Sequence, residues 1–139
     1  KHLMDLAIER KVIIKEKEGN VIVYGSQYYF MELQIAKKLY DLNVSEEIAP
    51  EQIQKKIDAI EKKNHTVLDE LQKKAVMEAV RTGVLILTGG PGTGKTTTIN
   101  AMIDYFEMEG LEVMLAAPTG RAAKRMSEAT GRSAQTKHC

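Results

Sequence analysis

Between Leu85 and Thr98 the chain reads LILTGGPGTGKTTT. The glycines at 89, 90, 92 and 94 remove side chains where a backbone would curl around an anion, partly at positive φ. Successive N–H groups in such a curl point inward as a nest, and a following helix adds its positive N-terminal end. Pro91 stiffens the curl before anything binds. Lys95 offers a point charge to β- and γ-phosphates, and the Thr96 hydroxyl is an oxygen ligand suited to Mg²⁺. Thr97 is placed to touch an α-phosphate. Residues 89–96 match G-x-x-x-x-G-K-[ST] in full. The chemistry predicted is therefore binding of a nucleoside triphosphate with Mg²⁺. Gly90, Pro91, Gly92, Thr93, Gly94, Lys95, Thr96 and Thr97 form the cradle. Lys95 and Thr96 are the catalytic candidates, with Thr96 also the metal ligand.

A cradle of this kind needs a strand before it and a helix after it. Residues 84–88 (VLILT) form a continuous apolar run, the pattern of a strand buried on both faces of a parallel sheet. Ile99, Met102, Ile103 and Phe106 then fall at i, i+3, i+4 and i+7, one apolar helix face that would pack on that sheet. A plain glycine-rich turn before a lysine would not require this order of elements.

Downstream, Gly110 stops the helix and residues 113–117 read as a second strand. Pro118-Thr119-Gly120 leads into a further helix from about Arg121 to Ala129. Strand–helix–strand of this kind begins a doubly wound parallel sheet. Thr119 and the helix-start N–H groups can hydrogen-bond phosphate, while Arg121, Lys124 and Arg125 supply charge with only Glu128 opposing. An N-capped surface helix with solvated basic residues reads the same way.

Upstream, Leu3, Leu6 and Ala7 mark the end of a helix. Two β-rich runs, 11–15 and 21–24, flank the turn residues Glu18, Gly19 and Asn20. Helix plus hairpin is how a winged-helix wing reads, as is any short α+β module. Residues 28–42 predict a helix with Ile35, Leu39 and Leu42 on one stripe. Beside it Tyr28, Tyr29 and Phe30 are read as core in preference to a base-stacking platform. A helix opening at Ser45 or Pro50 carries Ile53, Ile57 and Ile60, with the pairs Lys55-Lys56 and Lys62-Lys63 on a solvated face. A helix over 69–81 places Leu68, Leu71, Ala75 and Ala79 on one side. The domain boundary is expected at residues 64–66, giving a module over 1–65 and a motor segment over 66–139.

The 139 residues, 43% hydrophobic and 28% charged, fit a soluble globular domain with a sizeable core. A formal charge of +1 gives no global attraction to nucleic acid, so such binding must be local. No apolar run reaches membrane-spanning length and no signal-peptide pattern opens the chain, so no membrane partner is expected. The lone Cys139 cannot form an internal disulfide, and a cytoplasmic location is expected. His2, His65 and His138 have no metal-ligand spacing.

Three segments together resemble one family. LDELQKKA (68–75) resembles the glutamine motif of superfamily-1 helicases, GGPGTGKTTT resembles their motif I, and APTGRAAKRM (117–126) resembles motif Ia of the RecD/TraA branch. Glu32, Ile35, Ala36, Leu39 and Leu42 are similar to the region just before the motor in RecD-like helicases, of the exodeoxyribonuclease V alpha-subunit type. The resemblance implies an α/β fold: a partial RecA-like P-loop NTPase parallel sheet, preceded by a small winged-helix-like α+β module. It implies ATP as the nucleotide, with Gln72 reading adenine through an amide that donates and accepts at once. It implies single-stranded DNA on Pro118, Thr119, Gly120 and Arg121, movement 5′ to 3′, a role in recombination and repair, and nuclease or helicase complex subunits as partners.

The sequence departs from the family pattern at Lys137, His138 and Cys139. It contains no later acidic pair, second RecA-like lobe or arginine finger, so the expectation is nucleotide binding with little turnover by these residues alone. A nucleotide kinase, an AAA-type remodeller or a non-catalytic nucleotide- and DNA-binding module are the competing readings of the same loop.

Overall fold

The computed structural model describes residues 2–136, so expectations for Lys137, His138 and Cys139 lie outside the described residues. Two compact units divide the chain, Lys1–Asn43 and Val44–Cys139. The break falls after Asn43. The expected boundary at residues 64–66 is instead a turn inside the second unit, because the helix before it supplies that unit's core.

In the first unit, α1 (His2–Ile8) leads into an antiparallel hairpin of β1 (Val12–Lys17) and β2 (Asn20–Gly25), in register from Val12↔Gly25 to Lys17↔Asn20. Glu18 and Gly19 both take left-handed backbone, φ 53° and 76°. That is the two-residue turn whose twist matches a hairpin. The long helix α2 (Ser26–Leu42) follows. Tyr29 packs on Tyr24 and on Phe30, each with ring centroids 5.5 Å apart. The expected core role for this stretch does not hold. Tyr28 is 64% exposed, Phe30 is 52% exposed, and Ile35, Leu39 and Leu42 are exposed too. A single hairpin presents too narrow a face to cover a 17-residue helix.

The second unit is built on three helices: α3 (Pro50–Asn64), α4 (Glu70–Arg81) and α5 (Lys95–Met108). Ile53, Ile57 and Ile60 of α3 meet Val76 of α4, Ala101 and Tyr105 of α5, and Leu68 in one buried cluster. The αL residue His65 (φ 50°) ends α3, and Glu61 accepts the Leu68 N–H at 2.6 Å to close the turn into α4. The buried side of α4 centres on Val76, while Leu71, expected in the stripe, is 79% exposed. Likewise α5 buries Thr98, Ala101, Ile103, Asp104 and Tyr105, with Met102 and Phe106 partly covered. Its apolar face is rotated toward α3 and α4 from the face expected to meet a sheet. Two of the expected solvated lysines are engaged: Lys56 pairs with Glu109 and lies 5.3 Å from the Tyr105 ring centroid, and Lys63 pairs with Asp104.

Residues 84–88 are the main departure. They join no sheet among the described residues, and Ile86 is 83% exposed. A strand is a ladder of hydrogen bonds, and among the described residues this run has no ladder partner. The parallel pairing that does form is later: β3 (Leu115–Ala117) with β4 (Ala134–Thr136), joined by α6 (Gly120–Thr130) as the crossover a parallel pair requires. β3 is shorter than the five residues expected, and β4 was not foreseen. The fold is thus mixed α/β with a small parallel pair in place of the anticipated wider sheet. No described helix is long and apolar enough to cross a membrane.

Candidate functional site

The glycine-rich loop runs from the unpaired segment 84–88 straight into α5. Gly92 and Gly94 both sit at φ 75°, backbone that L side chains rarely adopt. Gly94 is the N-cap of α5, so the loop ends where the first N–H groups of that helix lack helical partners. Those groups and the helix dipole face the loop, which is the arrangement that attracts an anion. Thr93 donates its hydroxyl to the Gly90 carbonyl at 2.9 Å, tightening the curl.

Lys95 turns back over this curl. Its ammonium donates to the Gly89 carbonyl at 2.5 Å, to the Gly90 carbonyl, and to Thr93 Oγ1 at 3.4 Å. An ammonium has three donors, and all three are spent on the loop. A triphosphate would exchange these neutral acceptors for anionic ones, a favourable trade because charge-assisted hydrogen bonds are roughly twice as strong. Thr96 is exposed at the first turn of α5. A single hydroxyl oxygen fits Mg²⁺, which favours oxygen donors and is commonly held by few protein groups together with substrate phosphates. Among the described residues no cluster of three His, Cys, Asp or Glu could hold a metal by itself.

Thr97 lines a cleft of about 320 Å³ that also touches Asn64, Leu68, Asn100, Asp104 and Arg132. Asn100 donates to the Ala129 carbonyl at 3.1 Å, while its Oδ1 is buried without a partner. The wall of the cleft carries a charged network not anticipated from the sequence. Asp104, 6% exposed, accepts from Asn64 Nδ2 (2.7 Å), Arg132 (3.0 Å) and Lys63 (3.4 Å). Arg132 also grips Glu107 through two nitrogens at 2.7 and 2.6 Å. This ties the P-loop helix to the segment between α6 and β4. The signal for it was a carboxylate placed between Ile103 and Tyr105 on a helix that otherwise faces a core.

Burial alone would raise the Asp104 carboxyl. The hydrogen bonds from Asn64 and Arg132, with the charge of Lys63, outweigh it and hold the group below its ordinary range. The same Arg132 contact lowers Glu107, and Glu107 in turn raises Arg132. A depressed folded-state value means that the stabilisation is present above the unfolded value, about 4 for aspartate, and is lost as pH falls through the folded one. Asp104→Asn is expected to cost about 1–3 kcal/mol at pH 7, from lost hydrogen bonds to a charged group. Melting curves of both proteins from pH 7 to pH 2 check this: the gap between them should close below about pH 4. A gap independent of pH would mean that the charge contributes nothing.

At the other end, β3 runs directly into Pro118, Thr119, Gly120 and Arg121, all exposed. Thr119 is the N-cap of α6 and its Oγ1 accepts from the Ala122 N–H at 3.2 Å. Arg121, Lys124 and Arg125 are exposed along the same helix. The structure therefore places Thr119 as a cap and leaves a basic, solvent-facing helix start. Gln72, expected to read the base of a nucleotide, stands within hydrogen-bonding reach of the loop: its Nε2 donates to the Gly94 carbonyl at 3.3 Å.

A family model described as an AAA domain matches residues 72–139. Among curated proteins, the chain is 49% identical over 80 residues to the ATP-dependent RecD2 DNA helicase of Deinococcus radiodurans, covering 58% of this chain and 11% of that one. It is 46% identical over 74 residues to the RecBCD enzyme subunit RecD of Mycobacterium tuberculosis, covering 48% and 13%. The RecD subunit of Buchnera aphidicola is 32% identical over 110 residues, 76% of this chain and 18% of that one. The chain thus spans between 11% and 18% of the length of these relatives.

Proposed function

We propose, on the premise that the loop-bearing part of this chain is RecD-like, that it is the nucleotide-gripping portion of an ATP-dependent DNA helicase acting in recombination and repair. ATP lies with its phosphates on residues 90–97, and Gln72 stands on the side of the base. The Thr96 hydroxyl would hold Mg²⁺, which would supply charge neutralisation for the phosphates. Lys95 leaves the Gly89 and Gly90 carbonyls and takes the same phosphates. Single-stranded DNA runs along Pro118, Thr119, Gly120 and Arg121, and ATP use drives the motor 5′ to 3′. The protein works in the cytoplasm, alone or with nuclease and helicase subunits. The observation that supports the reading most is the loop: positive-φ glycines, a helix start and one lysine converge on one anion-sized curl.

Phosphoryl transfer asks a protein for positioning and charge stabilisation. The residues described supply the cradle, a cation and a metal-binding hydroxyl, so binding of MgATP with little turnover is the behaviour proposed for these 139 residues. For the DNA face, Arg121→Glu combined with Lys124→Glu and Arg125→Glu is expected to weaken binding of oligo(dT) at least tenfold and to flatten its salt dependence, each phosphate contact adding about 0.7 to the slope on a single strand. Fluorescence anisotropy at several salt concentrations reads both. Oligo(dT) affinity unchanged by the triple charge reversal would remove DNA from this helix.

A further inference from the structure

We propose that Gln72 is a positioning residue for the phosphate loop, acting on the triphosphate tail whether or not a base is attached. The proposal rests on the phosphate reading above. Gln72 occupies the third helical position of α4, and two reciprocal bonds fix it there. Asp69 Oδ1 accepts the Gln72 N–H at 2.8 Å, and Gln72 Oε1 accepts the Asp69 N–H at 2.9 Å. A side-chain amide is planar, so anchoring its oxygen aims its nitrogen. That nitrogen points at the Gly94 carbonyl, 3.3 Å away.

The Gly94 carbonyl is where the loop becomes a helix. It also accepts the Thr98 N–H at 3.0 Å and the Thr98 hydroxyl at 3.1 Å, so three donors converge on it. Turning this carbonyl turns the peptide plane that carries the Lys95 N–H, and with it the first turn of α5. The same approach leaves no room for a side chain at Gly94. A Cβ built on Gly94 would lie 2.3 Å from Gln72 Nε2. The glycine is therefore needed for the approach of the amide as well as for its φ. Gln72 thus bolts the N-terminus of α4 to the lip of the cradle, and both polar ends of its amide are engaged by protein. One N–H and one lone pair remain on the amide, but its plane is already set by these two bonds.

The test uses calorimetry on the chain with two probes in the presence of Mg²⁺, ATP and inorganic tripolyphosphate, which has no base. Gln72→Ala is expected to weaken both by the same factor, about three- to tenfold. Gln72→Glu keeps an acceptor for the Asp69 N–H but sets a carboxylate oxygen against the Gly94 carbonyl, so it should lose at least as much while retaining the helix cap. Asp69→Ala removes the Asp69 carboxylate yet leaves both side-chain bonds of Gln72, and should lower the melting temperature without moving tripolyphosphate affinity. Tripolyphosphate binding within twofold of wild type in both Gln72 variants, with ATP binding reduced, would overturn the proposal and leave Gln72 as a base reader. Equal loss in Asp69→Ala would overturn it in favour of simple fraying of α4. Wild-type protein that bound neither probe would remove the phosphate reading as well.

Discussion

Replacing Lys95 by alanine is expected to weaken MgATP binding by roughly 10- to 100-fold, the equivalent of about 1.5–3 kcal/mol for a hydrogen-bonded charge. Among the described residues, the Lys95 ammonium hydrogen-bonds to the loop it sits on: two glycine carbonyls and the Thr93 hydroxyl. None of the core side chains rests on it, so the melting temperature should stay within about 2 °C of wild type. Titration calorimetry with MgATP gives the first number and a thermal melt the second. Lys95→Met restores much of the side-chain length but none of its charge, so it should bind MgATP as poorly as Lys95→Ala. Equal affinity in wild type and Lys95→Ala would detach this residue from the phosphates.

Gly94→Ala should damage both stability and binding. Left-handed backbone costs a side-chain-bearing residue about 1–2 kcal/mol, and the new methyl would displace the Gln72 amide. Breaking that hydrogen bond adds about 0.5–1.5 kcal/mol. The combined loss of about 1.5–3.5 kcal/mol should be visible in urea melts, and MgATP binding should fall with it because the loop can no longer hold its exit geometry. Gly110→Ala is the matched control. Its φ is 76° and an added Cβ would meet nothing within 4 Å, so it bears only the backbone strain. If the two alanine variants were equally stable and Gly94→Ala still bound MgATP normally, the contact between Gly94 and Gln72 would carry no weight.

Much of the secondary structure was legible because it is dictated locally. The turn at Glu18 and Gly19, the isoleucine stripe of α3, the stop at Gly110 and the helix after Pro118-Thr119-Gly120 each follow from residue type and spacing, and each appears where expected. The loop was legible for the same reason, since glycine and lysine at fixed intervals leave few alternatives. What could not be read was whatever depends on neighbours distant in sequence. Apolar character over 84–88 predicts a buried strand, yet a strand exists only where another lies beside it. The rotation of α5 toward α3 was hidden because Ile99, Met102 and Phe106 make as good a stripe as Ala101 and Tyr105. Leu71 reads as core by type, but α4 turns Val76 inward instead. The Asp104–Arg132 pair joins residues 28 apart along the chain, beyond any local pattern. One link was within reach: Asp69 and Gln72 stand at the spacing of a helix-capping box.

The central claim is that an anion seats in the curl between residues 89 and 97. The most direct measurement is a ¹⁵N-correlated NMR titration of the chain with MgATP, following backbone amides one by one. The largest shifts are expected on Gly92, Gly94, Lys95 and Thr96, saturating together and reproduced over the same residues by Mg-tripolyphosphate. Shifts centred elsewhere, such as on the exposed face of α2, or a loop unchanged at saturating nucleotide, would contradict it.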